Sequence, residues 1–139
     1  MQQCHGYARF FVAQMYYLLL GRDIEHEIVP FLEDAGIGIL AWSPLAGGFL
    51  SGKYTRYNPT PEGGRLNTFK IPPIDVEKGY AVVDVFKQIT QNHSASPAQV
   101  ALAWMLTKPF ISSIIHYFIF YHRSIRLFGV VSVSALLSV

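Results

Sequence analysis

The chain carries one cysteine, Cys4, in 139 residues. An intramolecular disulfide and a cysteine-built zinc site are therefore excluded, and a reducing, cytoplasmic compartment is the expectation. Charge is equally sparse. Only 14% of residues are charged and the net charge is +2, with no basic stripe, which argues against a nucleic-acid-binding class. The histidines, His5, His26, His93, His116 and His122, share no spacing that would assemble a metal site or a base with its orienter. No metal ligands are assigned. The amino end lacks the basic region and apolar run of a signal peptide. Apolar runs are short as well: Leu127 to Val139 falls well under the roughly 20 residues that span a bilayer, and Arg123 and Arg126 split it from Phe118–Tyr121. Membrane partners are not favoured.

What is present is a hydrophobic fraction of 51%, enough for the core of one ordinary domain. Arg9 to Gln14 is β-prone and ends on a polar residue. Asp23 can cap a helix whose apolar positions Ile24, Ile28, Phe31 and Leu32 have helical spacing, with a kink expected at Pro30 and an end at Gly36. Ile37–Ala41 reads as the next strand. Strand, helix and strand in that order form the βαβ signature of a parallel sheet. Tyr54 to Ile74 has no period of either kind and reads as a long functional loop. Val82, Val85, Phe86 and Ile89 form a helical stripe that starts near Val76 and runs through Gln91. Ser96, Pro97 and Gln99 announce a second helix, to about Thr107, through a capping box with proline at its first position. Ile111–Ile115 is a buried strand. Residues 116–139 contain no Asp, Glu or Pro and read as an atypical hydrophobic tail.

The stretch from Ile37 to Tyr54 says most about function. A strand that stops at a loop of small residues and a cation builds an anion site, because ligands collect beyond the carboxyl ends of parallel strands. Gly47, Gly52 and Lys53 satisfy the first part of a P-loop. Tyr54, however, stands where magnesium binding needs Ser or Thr, and no helix start follows, so the P-loop reading is rejected. Phosphate contact through backbone amides and Lys53 survives that rejection. Trp42, at the mouth of the strand, is either a flat face for a planar ring or ordinary core. Glu25 and Glu27 flank His26 but point apart on a helix, so they read as a solvated first turn.

Phe11–Tyr17, Glu25–Pro30, Gly36–Tyr54 and Ser96–Trp104, in that order, resemble the aldo-keto reductase family, near its bacterial and plant branch and the potassium-channel β-subunits. The resemblance implies an α/β fold: a TIM-type (β/α)8 barrel of which this chain holds about the last three βα units, in residues 1–115. It implies NADP(H) as cofactor and aldehydes or ketones as substrates. In that family the residue matched by Gln14 holds the nicotinamide carboxamide and the aromatic matched by Trp42 stacks on the nicotinamide ring. The segment matched by Ser43, Pro44, Leu45, Ala46 and Gly47 wraps the pyrophosphate, and Lys53 and Arg65 match positive residues near the cofactor phosphates. The family's catalytic tyrosine, lysine, aspartate and histidine have no match here, so no catalytic residue is assigned. Met15 and Leu18 replace polar residues usual near the nicotinamide pocket. The expectation is a reductase segment that is inactive alone and prone to associate through open barrel edges. The alternative is a non-catalytic nucleotide-binding or channel β-subunit-like, membrane-associated interaction module.

Overall fold

A computed structural model describes residues 8–68, 73–122 and 125–132, with the backbone alone described from residue 116 onward. Three strands, β1 (Val12–Tyr16), β2 (Gly38–Trp42) and β3 (Ile111–His122), lie parallel in chain order. Between them run α1 (Ile28–Asp34), α2 (Val76–His93) and α3 (Pro97–Leu106). A fourth strand, β4 (Ile125–Ser132), pairs antiparallel with β3 from Ile115 to His122. The sheet is a three-stranded parallel segment that does not close, the α/β architecture expected of part of a (β/α)8 barrel. Among the described strands, the outer edge of β1 has no partner, and β4 shares only Ile115 with the span of β3 that β2 covers.

Alternation along each strand separates two faces. Ala13, Met15, Ile39, Ala41 and Ile114 turn toward the helices and join the core. Gln14, Tyr16, Leu40 and Trp42 lie on the other face, which a closed barrel would enclose. A register shift opposite Ile39 and Leu40 inserts Ser112 as an extra residue, so that Ile111 pairs with Ile39 while Ser113 pairs with Leu40. This bulge keeps Ile111 and Ile114 on the helix side despite their odd spacing. Met15 and Leu18 belong to the core on the helix side. Leu18 is fully buried there.

Local chemistry explains the elements and their departures from expectation. β1 starts at Val12 rather than Arg9, where the ladder to Gly38 begins, and Phe10 and Phe11 are exposed. Asp23 does not cap a helix; it opens a short 3-10 turn, Asp23–Glu25, with no side-chain cap. The helix restarts at Ile28, so Val29 and Leu32 are buried while Ile28 and Phe31 face solvent. Pro30 is its third residue, where no intrahelical donor is lost, and the helix continues through it to Asp34. Its end is as expected. Gly36, at φ 63°, closes a Schellman turn, in which the Gly36 N–H reaches the Glu33 carbonyl at 3.1 Å and the Ile37 N–H reaches the Leu32 carbonyl at 2.8 Å. The buried face of α2 is Gly79, Tyr80, Val83 and Phe86, rotated from the expected stripe, and Val85 is exposed. Contact with Phe49 sets that rotation. The α3 capping box forms as read: Ser96 Oγ accepts the Gln99 N–H at 3.3 Å and Gln99 Oε1 accepts the Ser96 N–H at 2.7 Å. No helix among the described residues is long and apolar enough to cross a membrane.

Gly79 tests the contact that orients α2. A β-carbon there would sit 2.6 Å from Cε1 of buried Phe49. Gly79→Ala gains about 0.5–1 kcal/mol of helix propensity, whereas overpacking against a fixed ring costs about 1–3 kcal/mol. The clash wins, so Gly79→Ala lowers stability in urea denaturation, and the same substitution costs less in a Phe49→Leu background than in the wild-type chain.

Candidate functional site

The carboxyl ends of β1 and β2 end at the same height, with Tyr16 paired to Trp42. Their rings meet at 5.0 Å between centroids, tilted by 50°. Trp42 is half-buried, so the indole is braced on one side by Tyr16 and remains accessible. Burial, with a smaller contribution from Asp23, raises the pKa of the Tyr16 phenol, which therefore stays neutral at ordinary pH. Gln14 is exposed on the same sheet face, two residues before Tyr16.

After Trp42 the backbone enters a conformation that L-residues avoid. Ser43 has φ 61° and Ala46 φ 51°, and Gly47 and Gly48 follow at 65° and 96°. The two non-glycine positions cost about 1–2 kcal/mol each, so the turn persists only because its surroundings impose it. Pro44 and Ala46 are buried, and beyond the glycines Phe49 and Leu50 enter the core. The Phe49 ring stacks on Tyr54 at 5.4 Å and 8° and packs on Tyr80 at 5.3 Å. Tyr54 in turn holds the long loop: its hydroxyl accepts the Leu66 N–H at 3.0 Å. Leu66 lies directly beneath Gly47, where a β-carbon would meet its Cδ2 at 2.7 Å. The loop residue expected to carry charge, Arg65, thus begins a short 3-10 turn, Arg65–Asn67, held against the glycine turn.

Lys53 is placed differently. It follows Gly52, which packs on Pro97 at the start of α3, so it lies at the α3 side of the loop. Lys53 and Arg65 are both exposed, and neither forms an ion pair among the described residues. Arg56 pairs with Glu77 and Lys87 with Asp84. The stretch that resembles a P-loop has no helix after Lys53; Tyr54 is buried and a tight turn follows.

Sequence reasoning missed three supports. The pairing of Tyr16 with Trp42 follows only from the strand register. Tyr54 and Leu66 act across the long loop, where no periodicity signals contact. Glu25 was also misread as solvated. Its carboxylate accepts two hydrogen bonds from Arg22, at 2.9 and 2.7 Å, and one from the Tyr17 hydroxyl at 2.5 Å. Arg22, followed by Tyr17, holds the Glu25 carboxyl down to a pKa of about 2. Burial and the Glu25 carboxylate push the Tyr17 phenol up. This cluster fastens the chain after β1 to the start of α1.

The arrangement defines a class: the carboxyl-end rim of a parallel α/β barrel segment, presenting an aromatic, a strained small-residue turn and two exposed cations. Comparison with known proteins gives the family. The sequence matches the description "Aldo/keto reductase family" over residues 1–133, and the chain belongs to that family. It is 38% identical over 97 residues to "Uncharacterized oxidoreductase YrpG" of Bacillus subtilis, covering 70% of this chain and 28% of that protein. It is 36% identical over 109 residues to "Putative voltage-gated potassium channel subunit beta" of Schizosaccharomyces pombe, covering 73% and 31%. Among solved structures, the glycerol dehydrogenase AKR11B4 from Gluconobacter oxydans superposes with a TM-score of 0.60 at 27% identity, over 76% of this chain and 33% of that one. The chain spans about a third of the length of the relatives it matches.

The Glu25 cluster sets an acid limit. Its folded pKa of about 2 lies below the ordinary 4.5, so its stabilisation is fully present above pH 4.5 and fades as pH falls toward 2. Glu25→Gln is expected to cost about 1–2 kcal/mol at pH 7. Urea titrations of both proteins from pH 7 to pH 2 should show that difference shrinking progressively below about pH 4.5.

Proposed function

We propose that this chain carries the cofactor half-site of an NADP(H)-dependent aldo-keto reductase. In this reading Trp42 offers its open face to the nicotinamide, Gln14 holds the carboxamide, and the turn from Ser43 through Pro44, Leu45, Ala46 to Gly47 follows the pyrophosphate. Lys53 and Arg65 answer the remaining phosphate charge. The observation that carries it is the turn itself: positive φ at Ser43 and Ala46, imposed by buried neighbours, is strain of the kind kept at ligand sites. Arg65 begins the short turn held against it and Lys53 lies on its α3 side; both are exposed and form no ion pair among the described residues, which suits a dianionic diphosphate. NADPH, when bound, supplies hydride to a carbonyl carbon. The chain's own residues bind and orient. They include no match to the family's proton donor, and the carbonyl oxygen would receive its proton from elsewhere.

Residues 1–115 form the barrel segment in this reading and 116–139 an appended tail. A cytoplasmic location accords with the single cysteine. The edge of β1, which has no partner among the described strands, favours self-association. Likeness to a protein described as a channel β-subunit supports the second reading, a nucleotide-binding interaction module without turnover.

Two measurements test the proposal. The purified chain should oxidise no NADPH with a panel of aldehydes and ketones; turnover above the enzyme-free rate would refute the half-site reading. NADPH should quench tryptophan fluorescence saturably. That quenching should persist in Trp104→Phe and fall away in Trp42→Phe.

A further inference from the structure

A tryptophan side chain turns about two torsions, the outer of them broad, so an indole at a strand end samples several orientations unless a neighbour holds it. Trp42, half-buried at the end of β2, has such a neighbour. Tyr16 is its register partner on β1, and the two rings meet at 5.0 Å between centroids, tilted by 50°. Tyr16 is itself held. The chain after β1 doubles back through a tight turn closed by two hydrogen bonds between Leu18 and Gly21, at 3.2 and 3.1 Å. Gly21 comes so close to the phenol ring that a β-carbon there would lie 2.7 Å from Cε1 and 3.3 Å from Cζ. Glycine permits that approach without displacing the ring. The turn is anchored at both ends, because Tyr17 and Leu18 are fully buried and the side chains of Tyr17 and Arg22 both bind Glu25. The Tyr16 ring thus lies against a fixed backbone and against the indole.

We propose that Tyr16 is a positioning residue: held by the Leu18–Gly21 turn, it fixes the Trp42 indole in the orientation that receives the nicotinamide ring. The inference rests on the half-site reading for the identity of the ring received, whereas the fixing of the indole concerns this chain alone. An aromatic pair of this geometry is favourable beyond the area it buries, and a side chain ordered before the ligand arrives spares the ordering cost on binding. Tyr16 therefore acts on the nicotinamide through Trp42. It does not act on the pyrophosphate, which belongs to the turn from Ser43 to Gly47. That separation is a signature that a merely structural residue lacks.

The test uses the full 139-residue chain, labelled with nitrogen-15, with Tyr16→Leu, which removes the ring, Tyr16→Phe, which keeps it, and Gly21→Ala, which displaces it. Without ligand, the heteronuclear Overhauser effect at the Trp42 Nε1–H should fall in Tyr16→Leu and keep its wild-type value in Tyr16→Phe. In calorimetry, Tyr16→Leu should weaken NADPH by about three- to tenfold and leave 2′-phospho-ADP-ribose, which keeps the diphosphate and lacks the nicotinamide, within about twofold of wild type. Tyr16→Phe should restore the NADPH affinity. Gly21→Ala, with the Tyr16 side chain intact, should shift the Trp42 indole resonance and weaken NADPH with the same selectivity, so the proposal is decided even where Tyr16→Leu unfolds. An indole equally ordered in folded Tyr16→Leu, unchanged NADPH affinity, or equal losses for both ligands would each overturn it. A wild-type chain that binds neither ligand would defeat the half-site reading instead, and the ligand-free indole signals would then decide whether Tyr16 fixes Trp42.

Discussion

The packing of Phe49 under the glycine turn is the contact on which the rest of the rim depends. Four residues between Ser43 and Gly48 adopt left-handed backbone, and two of them pay a steric cost of about 1–2 kcal/mol each. Burial of Phe49 and Leu50 contributes about 1.5–3 kcal/mol apiece, which offsets that cost and fixes where the turn must run. The same ring reaches Tyr54 and Tyr80, so one side chain ties the turn, the long loop and α2 together. Gly79 exists as a glycine to admit it.

This linkage explains how a segment with an unclosed sheet can still present an ordered rim. In a complete barrel the strands close on one another and their ends are mutually positioned. Here β1 lacks an outer partner among the described strands, but the rim is supported from the helix side. Tyr17, Arg22 and Glu25 fasten the chain after β1, Phe49 and Leu66 brace the turn after β2, and Pro97 supports Gly52 at the start of α3. Each support comes from a residue outside the sheet. Binding surface and fold are therefore coupled through helix packing rather than through barrel closure.

Legibility in the sequence followed the range of the interaction. The α3 capping box, the Gly36 helix end and the three parallel strands were readable because each is a local rule or a plain periodicity. The resemblance to the family was carried by ordered motifs and did not depend on those rules. The buried face of α2 was misjudged because Val82 and Val85 are as apolar as Val83, and only contact with Phe49 decides between them. Glu25 looked solvated because its partners, Tyr17 and Arg22, come from the preceding strand exit and turn. Within the site, Trp42 and the glycine turn were visible, whereas Tyr16, Tyr54 and Leu66 were not, since cross-strand register and loop contacts leave no pattern in one sequence.

The central claim is that the indole of Trp42 and the turn beyond it receive one dinucleotide. Nuclear Overhauser measurements on the chain with excess NADP⁺ address it most directly. The account predicts cross-peaks between the Trp42 indole protons and the nicotinamide ring protons, together with shifted amides from Ser43 to Gly47. Binding that leaves Trp42 without such cross-peaks, or no binding at saturating dinucleotide, would contradict it.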